Sequence, residues 1–591
     1  MMNKRRFSAD FETCTWIENE TYVWCWATCE IGAEYVTEWG TDIDSFFKWC
    51  EIQGSIDIYF HNLKFDGEFI INYLLTNNFR CVNTKEQRKE KKKHEANTFS
   101  TVISDMGQFF KIQVHLKNKI TINFYDSLKI IPLSVEKMPS AFGIKLKKLD
   151  LDYNKPREKG YVPNKEEIDY IINDVKIPAM VLYKMFSEGL TKITQASNAM
   201  SDYKEIIGKN TFRHFFPQLE MEIDKDIRKS YRGGFTYCNP IYESKEVENG
   251  IGIDVNSLYP SVMLSCELPI SQPIFFEGKY QQDDLYNLYV QKIRCMFEIK
   301  PNKIPTIQLK NNKSFVSTEY LKSSDGQVVV LTLTNIDLEL FFEQYNVECL
   351  DYLGGWKFRG CKGLFSNYIN KWYEIKARSK EEKNDSMYTI AKLMQNSLYG
   401  KFGLNPKTKE KIPYLKDGIV KYIESDEKER EPIYIPIASF ITSYAREKTI
   451  RTAQSITDYS IKKYGVDKYC YSDTDSIYCL LSEDEINEIC EIDEIKIGAW
   501  DLETKFKRGK FIRQKCYILE LKDKPIEKSI KITCAGMPKN CYGMVTFDNF
   551  EEGLEVDGKL TYKHVVGGVK LVETTFKIKH KKMQSFLIKN N

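Results

Sequence analysis

Asp10 and Glu12 stand two apart in Phe7 to Phe11, a run that reads as a β-strand, so both carboxylates leave one face. Asp66 follows a second strand, Ile56 to Phe60, at the head of an amphipathic helix, Glu68 to Leu75. Tyr170 and Asp174 are four apart in a third element and are therefore neighbours on one helical surface. Four carboxylates and a tyrosine delivered by strand, loop and helix suit two Mg²⁺ ions about 4 Å apart, which activate a water and stabilise a leaving oxygen. Tyr170 is positioned to orient that water. Taken singly, each acid is a helix cap or a solvated face; the joint pattern carries the reading.

A second acidic cluster is split along the chain. Ile251 to Val255 reads as a buried strand ending at Asp254, followed by Asn256-Ser257-Leu258-Tyr259-Pro260. Far downstream, Tyr469 to Leu481 (YCYSDTDSIYCLL) is apolar on both sides of Asp473-Thr474-Asp475, a hairpin with two acids at its tip. Such a tip between apolar strands is costly unless cations neutralise it. An isolated Asp-Thr-Asp is an ordinary turn; the Asp254 strand makes it a candidate metal site. A third element, the helix Ser386 to Tyr399, places Ile390, Leu393, Met394 and Leu398 on an apolar face. Lys392, Asn396 and Tyr399 form a separate stripe, suited to a triphosphate and a base or simply to solvent. Gly400 lets the helix stop and the backbone approach a ligand.

The elements that must hold these groups are legible in outline. The N-terminal third alternates strand and helix signals, as an α/β domain does. Asn164 and Glu167 form a capping box for a helix that Pro178 is expected to kink or end. Tyr231-Arg232-Gly233-Gly234 reads as a tight turn between two larger units. Cys266 to Lys362 is strand-rich and holds no acidic cluster of catalytic character. Leu404 to Pro436, with prolines and a glycine among many charges, reads as a β-hairpin excursion. Two basic runs, Lys85 to Lys93 and the tail with Lys577, Lys579, Lys581 and Lys582, are either solvated or in contact with phosphate.

Composition bounds the function class. The 591 residues suffice for about four domains of roughly 150 each. With 42% hydrophobic and 13% aromatic residues, wholesale disorder is excluded. The 86 Lys and Arg against 83 Asp and Glu exclude a histone-like polycation but not basic grooves beside acidic sites. No apolar run reaches the roughly 18 residues of a membrane span. The basic start, Met1 to Arg6, meets Asp10 and Glu12 at once, unlike a signal peptide. A soluble intracellular protein is expected, without membrane partners. The sixteen cysteines form no CxxC pair and six histidines accompany them, so reduced, partly buried thiols are expected rather than zinc or iron–sulfur modules.

In chain order, DFET (Asp10 to Thr13), HNLKFD (His61 to Asp66) and Tyr170-x3-Asp174 resemble the three exonuclease motifs of family B DNA polymerases. DVNSLYPS (Asp254 to Ser261), KLMQNSLYG (Lys392 to Gly400), YSDTDS (Tyr471 to Ser476) and KCY (Lys515 to Tyr517) resemble their polymerase motifs, and YRGGF (Tyr231 to Phe235) resembles the linker between the two activities. The similarity covers nearly the whole chain. HNLKFDGEFIINYL, YDSLKIIP, the modest length and two insertions flanking the fingers helix resemble the protein-primed branch, typified by phage enzymes that use a terminal protein's hydroxyl as primer.

The resemblance implies an α/β and α+β multidomain chain. A ribonuclease H-like 3′–5′ exonuclease domain (1–194) precedes a palm (195–265 and 438–533), fingers (364–403) and thumb (534–591). Residues 266–363 would contact the terminal protein; residues 404–437 would encircle the duplex for processivity and strand displacement. By the same resemblance Asp254, the Val255 carbonyl and Asp475 are ligands of the polymerase metals, with Asp473 supporting. Asp10, Glu12, Asp66 and Asp174 hold the exonuclease metals, with Lys148 a basic residue and Asp150 an accessory ligand. Tyr259 is the steric gate against a 2′-hydroxyl; Lys376, Lys392, Asn396 and Tyr399 contact the nucleotide; Lys515 and Tyr517 contact the primer. Asn62, Phe65, Ser127 and Leu128 grip a single strand, and Tyr231, Gly233 and Gly234 touch DNA from the linker. The implied cofactors are two Mg²⁺ per active site, with Mn²⁺ as a substitute. The implied partners are template and primer DNA, dNTPs, a terminal protein and a single-stranded-DNA-binding protein, the enzyme being a phage-encoded monomer in the cytoplasm of a bacterial host. The sequence departs from the family at Ser472, where relatives carry Gly or Cys, and adds Lys380 to Asp385 upstream of Tyr388. Two alternatives stand beside this reading: a nucleic-acid-primed polymerase, and an inactive single-strand-binding relative. The latter predicts eroded acids, whereas all seven principal carboxylates are present.

Overall fold

Alternating apolar residues in the N-terminal third fold as an eight-stranded sheet. Its order is Thr37–Gly40, Val23–Glu30, Arg6–Thr13, Asp57–Phe60, Thr121–Asp126, Phe109–His115, Thr98–Ile103 and Arg80–Cys81. The three central strands run parallel, which requires crossovers; helix Leu63–Thr76 lies in the second of them. This computed structural model describes residues 4–82, 95–308 and 319–579; the run Lys85 to Lys93, and Lys581 and Lys582 of the tail, lie outside the described residues.

Helix Lys165–Ser187 packs against strands Arg6–Thr13 and Val23–Glu30. Its capping box is present: Glu167 N–H donates to Asn164 Oδ1 at 2.9 Å, and Asn164 N–H donates to Glu167 Oε2 at 3.0 Å. Pro178, expected to kink or end the helix, does not end it. Pro178 has no N–H for the Asp174 carbonyl, but Ile177, Val181 and Leu182 beside it are buried in the main core, and that burial outweighs one lost hydrogen bond.

A second, seven-stranded sheet runs Ile530–Cys534, Cys516–Leu521, Trp500–Arg513, Glu246–Val255, Ser476–Cys479, Tyr469–Asp473, Thr236–Cys238. The 30-residue helix Ile435–Tyr464 packs on it, buried over much of its length. Strands Leu268–Phe276, Tyr345–Cys361, Leu288–Ile299 and Val329–Thr334 form, in that order, a four-stranded sheet with helix Asn335–Gln344 packed on it. Helices Ser366–Glu381 and Asp385–Ser397 pack as an antiparallel pair. The second of these was expected to reach Tyr399; it stops at Ser397 and tightens into a 3₁₀ turn, Tyr399–Lys401.

The segment 404–437 contains nested strand pairs, Lys411–Lys416 with Ile419–Glu424 and Lys407–Thr408 with Lys428–Glu429. It does not stand free. Val420 is buried in the N-terminal core, and Tyr422 O–H donates to Glu68 Oε2 at 2.8 Å. A C-terminal hairpin, Glu555–Val565 with Gly568–Lys577, reaches the same helix, where His564 Nε2 lies 3.1 Å from Glu68 Oε1.

Tyr231 to Phe235 forms no turn, against the expectation of a tight turn there. The Arg446 guanidinium donates to the Arg232 and Gly233 carbonyls at 2.9 and 2.8 Å, holding the segment from outside. Arg446 is itself fully buried against Asp337, whose carboxylate it neutralises.

Candidate active sites

The first site is made where strand Arg6–Thr13 meets helix Lys165–Ser187. Carboxylate oxygens of Asp10, Glu12 and Asp174 all lie within 4.8 Å of one another, the one such group of metal-ligand type among the described residues. Asp66 sits one turn into helix Leu63–Thr76, buried, and accepts from Phe11 N–H at 3.2 Å. Burial, then repulsion from Asp174, raises Asp10 to about 7. Burial and the neighbouring acids push Glu12 and Asp66 well above the carboxylate range. Lys148 supplies a nearby cation, 3.0 Å from Asp174 Oδ2. Asp174 Oδ1, buried, has no hydrogen-bond partner. An orphaned carboxylate oxygen inside a group of mutually repelling acids fits a hard divalent cation with oxygen ligands. Tyr170 is buried with its hydroxyl 2.6 Å from that of Tyr153, a partner the sequence reading missed. Asp150 is exposed and outside the three-acid group.

Beside this site, Asn62 caps its helix in the left-handed conformation (φ 76°), and its N–H donates to Asp126 Oδ1 at 3.0 Å. Leu128 N–H donates to the same oxygen at 3.0 Å, while the buried Ser127 hydroxyl donates to the Phe60 carbonyl. Asp126 thus ties Asn62 to Leu128. Tyr562, from the distant hairpin Glu555–Val565, meets both expected strand contacts: Asn62 Nδ2 donates to its hydroxyl at 3.3 Å, and its ring lies 6.4 Å from that of Phe65.

The second site is built on the seven-stranded sheet. Asp254 ends strand Glu246–Val255 and pairs in register with Ser476 of the adjacent strand. Asp473 and Ser476 are opposite each other, so Thr474-Asp475 is a two-residue turn, with Thr474 at φ 61°. Val255 N–H donates to the Asp475 carbonyl at 2.8 Å, which fastens the two acidic segments together. They line a cavity of about 450 Å³ with Asp473, Glu503, Lys515, Tyr517 and Lys531. Burial, then Asp475 and Glu503, raise Asp254 to about 7; burial also raises Asp475. Lys515 Nζ lies 2.6 Å from Asp473 Oδ1, and Thr236 Oγ1 donates to the same carboxylate at 3.2 Å. Glu503 and Lys531, 3.7 Å apart, carry no motif; a glutamate on a long strand was their only trace in the sequence.

The linker packs on the acidic turn. Thr474 N–H donates to the Phe235 carbonyl, and a Cβ on Gly234 would lie 2.7 Å from Thr474 Cγ2, so only glycine fits there. Tyr259 stacks on Tyr399 with ring centroids 4.1 Å apart, joining two motifs that are far apart in the chain. Tyr231 packs on Gly403, where a Cβ would lie 2.6 Å from its hydroxyl. Lys392 and Asn396 are exposed, while burial and then Lys392 lower Lys376, so the two lysines face one region.

The family model for DNA polymerase type B, organellar and viral, matches residues 52–487. The chain belongs to the type B DNA polymerases. It is 41% identical to the DNA polymerase of Bacillus phage Nf and 40% identical to that of Bacillus phage phi29, in each case over 98% of this chain and all of the relative. The solved structure of phi29 DNA polymerase with primer-template DNA and incoming nucleotide covers 98% of the chain at 40% identity, with a TM-score of 0.88. The mixed α/β polymerase is therefore a family B enzyme, with an exonuclease domain at its N-terminal end and a polymerase domain beyond. Its family implies a divalent metal cofactor. Among the described residues no helix is long and apolar enough to cross a membrane.

Proposed function

We propose that this polymerase replicates a linear phage genome in the cytoplasm of a bacterial host, starting on a terminal protein, proofreading with a 3′–5′ exonuclease and displacing the strand ahead. The observation that carries the reading is the presence of two separate acid sites, one buried and one half-buried at a hairpin tip, in one chain 40% identical over 98% of its length to a phage polymerase. In the polymerase site Asp254, Asp475 and the Val255 carbonyl would hold Mg²⁺; in the exonuclease site Asp10, Glu12, Asp66 and Asp174 would. Bound there, the ions would lower the pKa of a primer hydroxyl or a water and neutralise the leaving oxygen.

The chain's own groups do the rest. Tyr259, held flat by Tyr399, walls the nucleotide pocket where a 2′-hydroxyl would project. Lys376 and Lys392 meet the triphosphate from one helix pair. Lys515 and Tyr517 border the acidic cavity on the side where a primer strand would enter. In the exonuclease, Tyr170 orients the attacking water while Asn62 and Phe65 hold a frayed strand. Mismatched ends fray more readily, and that difference supplies proofreading.

The strand-rich 266–363 region, with Lys303 and Lys322, offers a surface to a terminal protein; Lys310 and Lys313 of the same basic set lie outside the described residues. Incubation with the cognate terminal protein, one labelled dNTP and Mg²⁺ or Mn²⁺ tests the priming. A labelled protein–dNMP adduct that requires Asp254 supports it. No adduct, alongside robust DNA-primed extension, would instead favour a nucleic-acid-primed polymerase.

A further inference from the structure

Two cysteines that the sequence separates by a strand and a turn face each other beside the polymerase cavity. Strands Cys516–Leu521 and Ile530–Cys534 are antiparallel, with Cys516 directly opposite Cys534 and their sulfurs 3.4 Å apart. Ala535 N–H donates to the Lys515 carbonyl at 2.7 Å, so that level of the ladder is the hydrogen-bonded one. The Cys516/Cys534 level is then of the close, non-hydrogen-bonded kind, with Cα atoms about 4.5 Å apart, within the roughly 4.4–6.8 Å that a disulfide spans. Bond formation needs the sulfurs to approach by only about 1.4 Å. The two sulfurs are within hydrogen-bond distance, and that contact, with the Arg513 charge adding to the effect, holds the Cys534 thiol below its ordinary value. Cys534 is the member of the pair shifted towards the thiolate. It is also the more exposed residue of the two, at 5% against 0% for Cys516.

The pair is wired to the cavity. Lys515 precedes Cys516 in a left-handed conformation (φ 52°), gives its N–H to the Tyr471 hydroxyl at 2.7 Å and its ammonium to Asp473. Tyr517 follows, its hydroxyl 3.1 Å from that of Tyr478 in the cavity wall.

We propose that Cys516 and Cys534 are a reversible oxidation site, which a peroxide closes into a cross-strand disulfide that draws Lys515 and Tyr517 off the cavity and slows primer extension. The effect on extension rests on reading those two residues as primer contacts. The Cys534 thiolate attacks a peroxide oxygen; the O–O bond breaks, hydroxide leaves and takes a proton as water, and Cys534 becomes a sulfenic acid. The Cys516 sulfur then attacks Cys534, the S–O bond breaks, and the hydroxyl leaves as water with the Cys516 proton. Two thiols and one hydrogen peroxide thus give one disulfide and two waters, and an added dithiol reverses the step.

The full-length protein is treated with hydrogen peroxide, alkylated, and mapped as peptides without reduction. A linked pair containing Cys516 and Cys534 is expected, with extension lowered about threefold or more, single-strand degradation unchanged, and dithiothreitol restoring extension. Cys516→Ser, or Cys534→Ser should the first variant not fold, should lose both the link and the peroxide sensitivity. Absence of the linked peptides while exposed Cys349 is oxidised would overturn the site. A link without loss of extension would overturn its coupling to the cavity. Lys515→Ala then separates the causes: normal extension by that variant means the primer-contact reading itself is wrong, whereas reduced extension means only the coupling is.

Discussion

Lys515 Nζ lies 2.6 Å from Asp473 Oδ1, so an ammonium in contact with the acidic turn comes from the turn between strands Trp500–Arg513 and Cys516–Leu521, 42 residues on in the chain. The pair neutralises Asp473 and leaves Asp254 and Asp475, both raised by burial, as the acids short of positive charge. Lys515→Ala is expected to weaken primer-template binding about tenfold with a smaller change in kcat, as loss of one charge-assisted contact would. Steady-state kinetics over a range of primer-template concentrations reads the split; an unchanged KM would contradict it.

The two acid sites should be separable. Asp475→Ala is expected to lower dNTP incorporation on the order of a thousandfold while 3′ degradation of single strands persists, since metal-centred charge stabilisation is worth several kcal/mol. Asp66→Ala should do the reverse. Loss of both activities in either folded variant would mean the sites are not independent.

Ribonucleotide exclusion should depend on Tyr259. Tyr259→Val removes the ring that Tyr399 holds in place. The rNTP/dNTP incorporation ratio should rise about ten- to a hundredfold, the range available to a steric change in a pocket. An unchanged ratio would assign the gate elsewhere.

The hairpin Lys411–Lys416/Ile419–Glu424 should act as a clamp. It is anchored through Tyr422 to Glu68, which also receives His564. Deleting 411–424 should shorten products and block copying through duplex, while short gap filling survives. Product-length distributions on a primed circle check this, and equal lengths would exclude the clamp.

Metal-free protein should lose stability as pH rises from the ordinary carboxylate range towards about 7, where Asp10 and Asp254 titrate in the fold. In that window the folded state holds protons that the unfolded chain has already released, so each pH increment favours unfolding. Divalent cations replace those protons, so Mg²⁺ should raise Tm by about 2 °C or more above pH 7.5 and much less at pH 5.5. Calorimetry on wild type and on Asp10→Asn with Asp254→Asn measures it; equal Mg²⁺ effects at both pH values would refute the linkage.

What the sequence determined by itself was local. Asp10 and Glu12 share a face because strand side chains alternate, Asp473 and Asp475 stand before and within a two-residue turn, and Asn164 with Glu167 caps a helix; each follows from neighbours in the chain. The resemblance of those motifs to a polymerase family was legible for the same reason. Where local and tertiary terms competed, the fold decided: buried Ile177 and Val181 carry a helix through Pro178, and Arg446 holds the Arg232 and Gly233 carbonyls from a helix more than two hundred residues on. Tertiary structure alone set every relation between separate strands. Glu503 and Lys531 reach the acidic cavity through sheet order, Tyr562 reaches Asn62 from the C-terminal hairpin, and Cys516 meets Cys534 because the register places them at one level. The physical reason is that strand pairing is settled by long-range packing, to which no single segment of sequence has access.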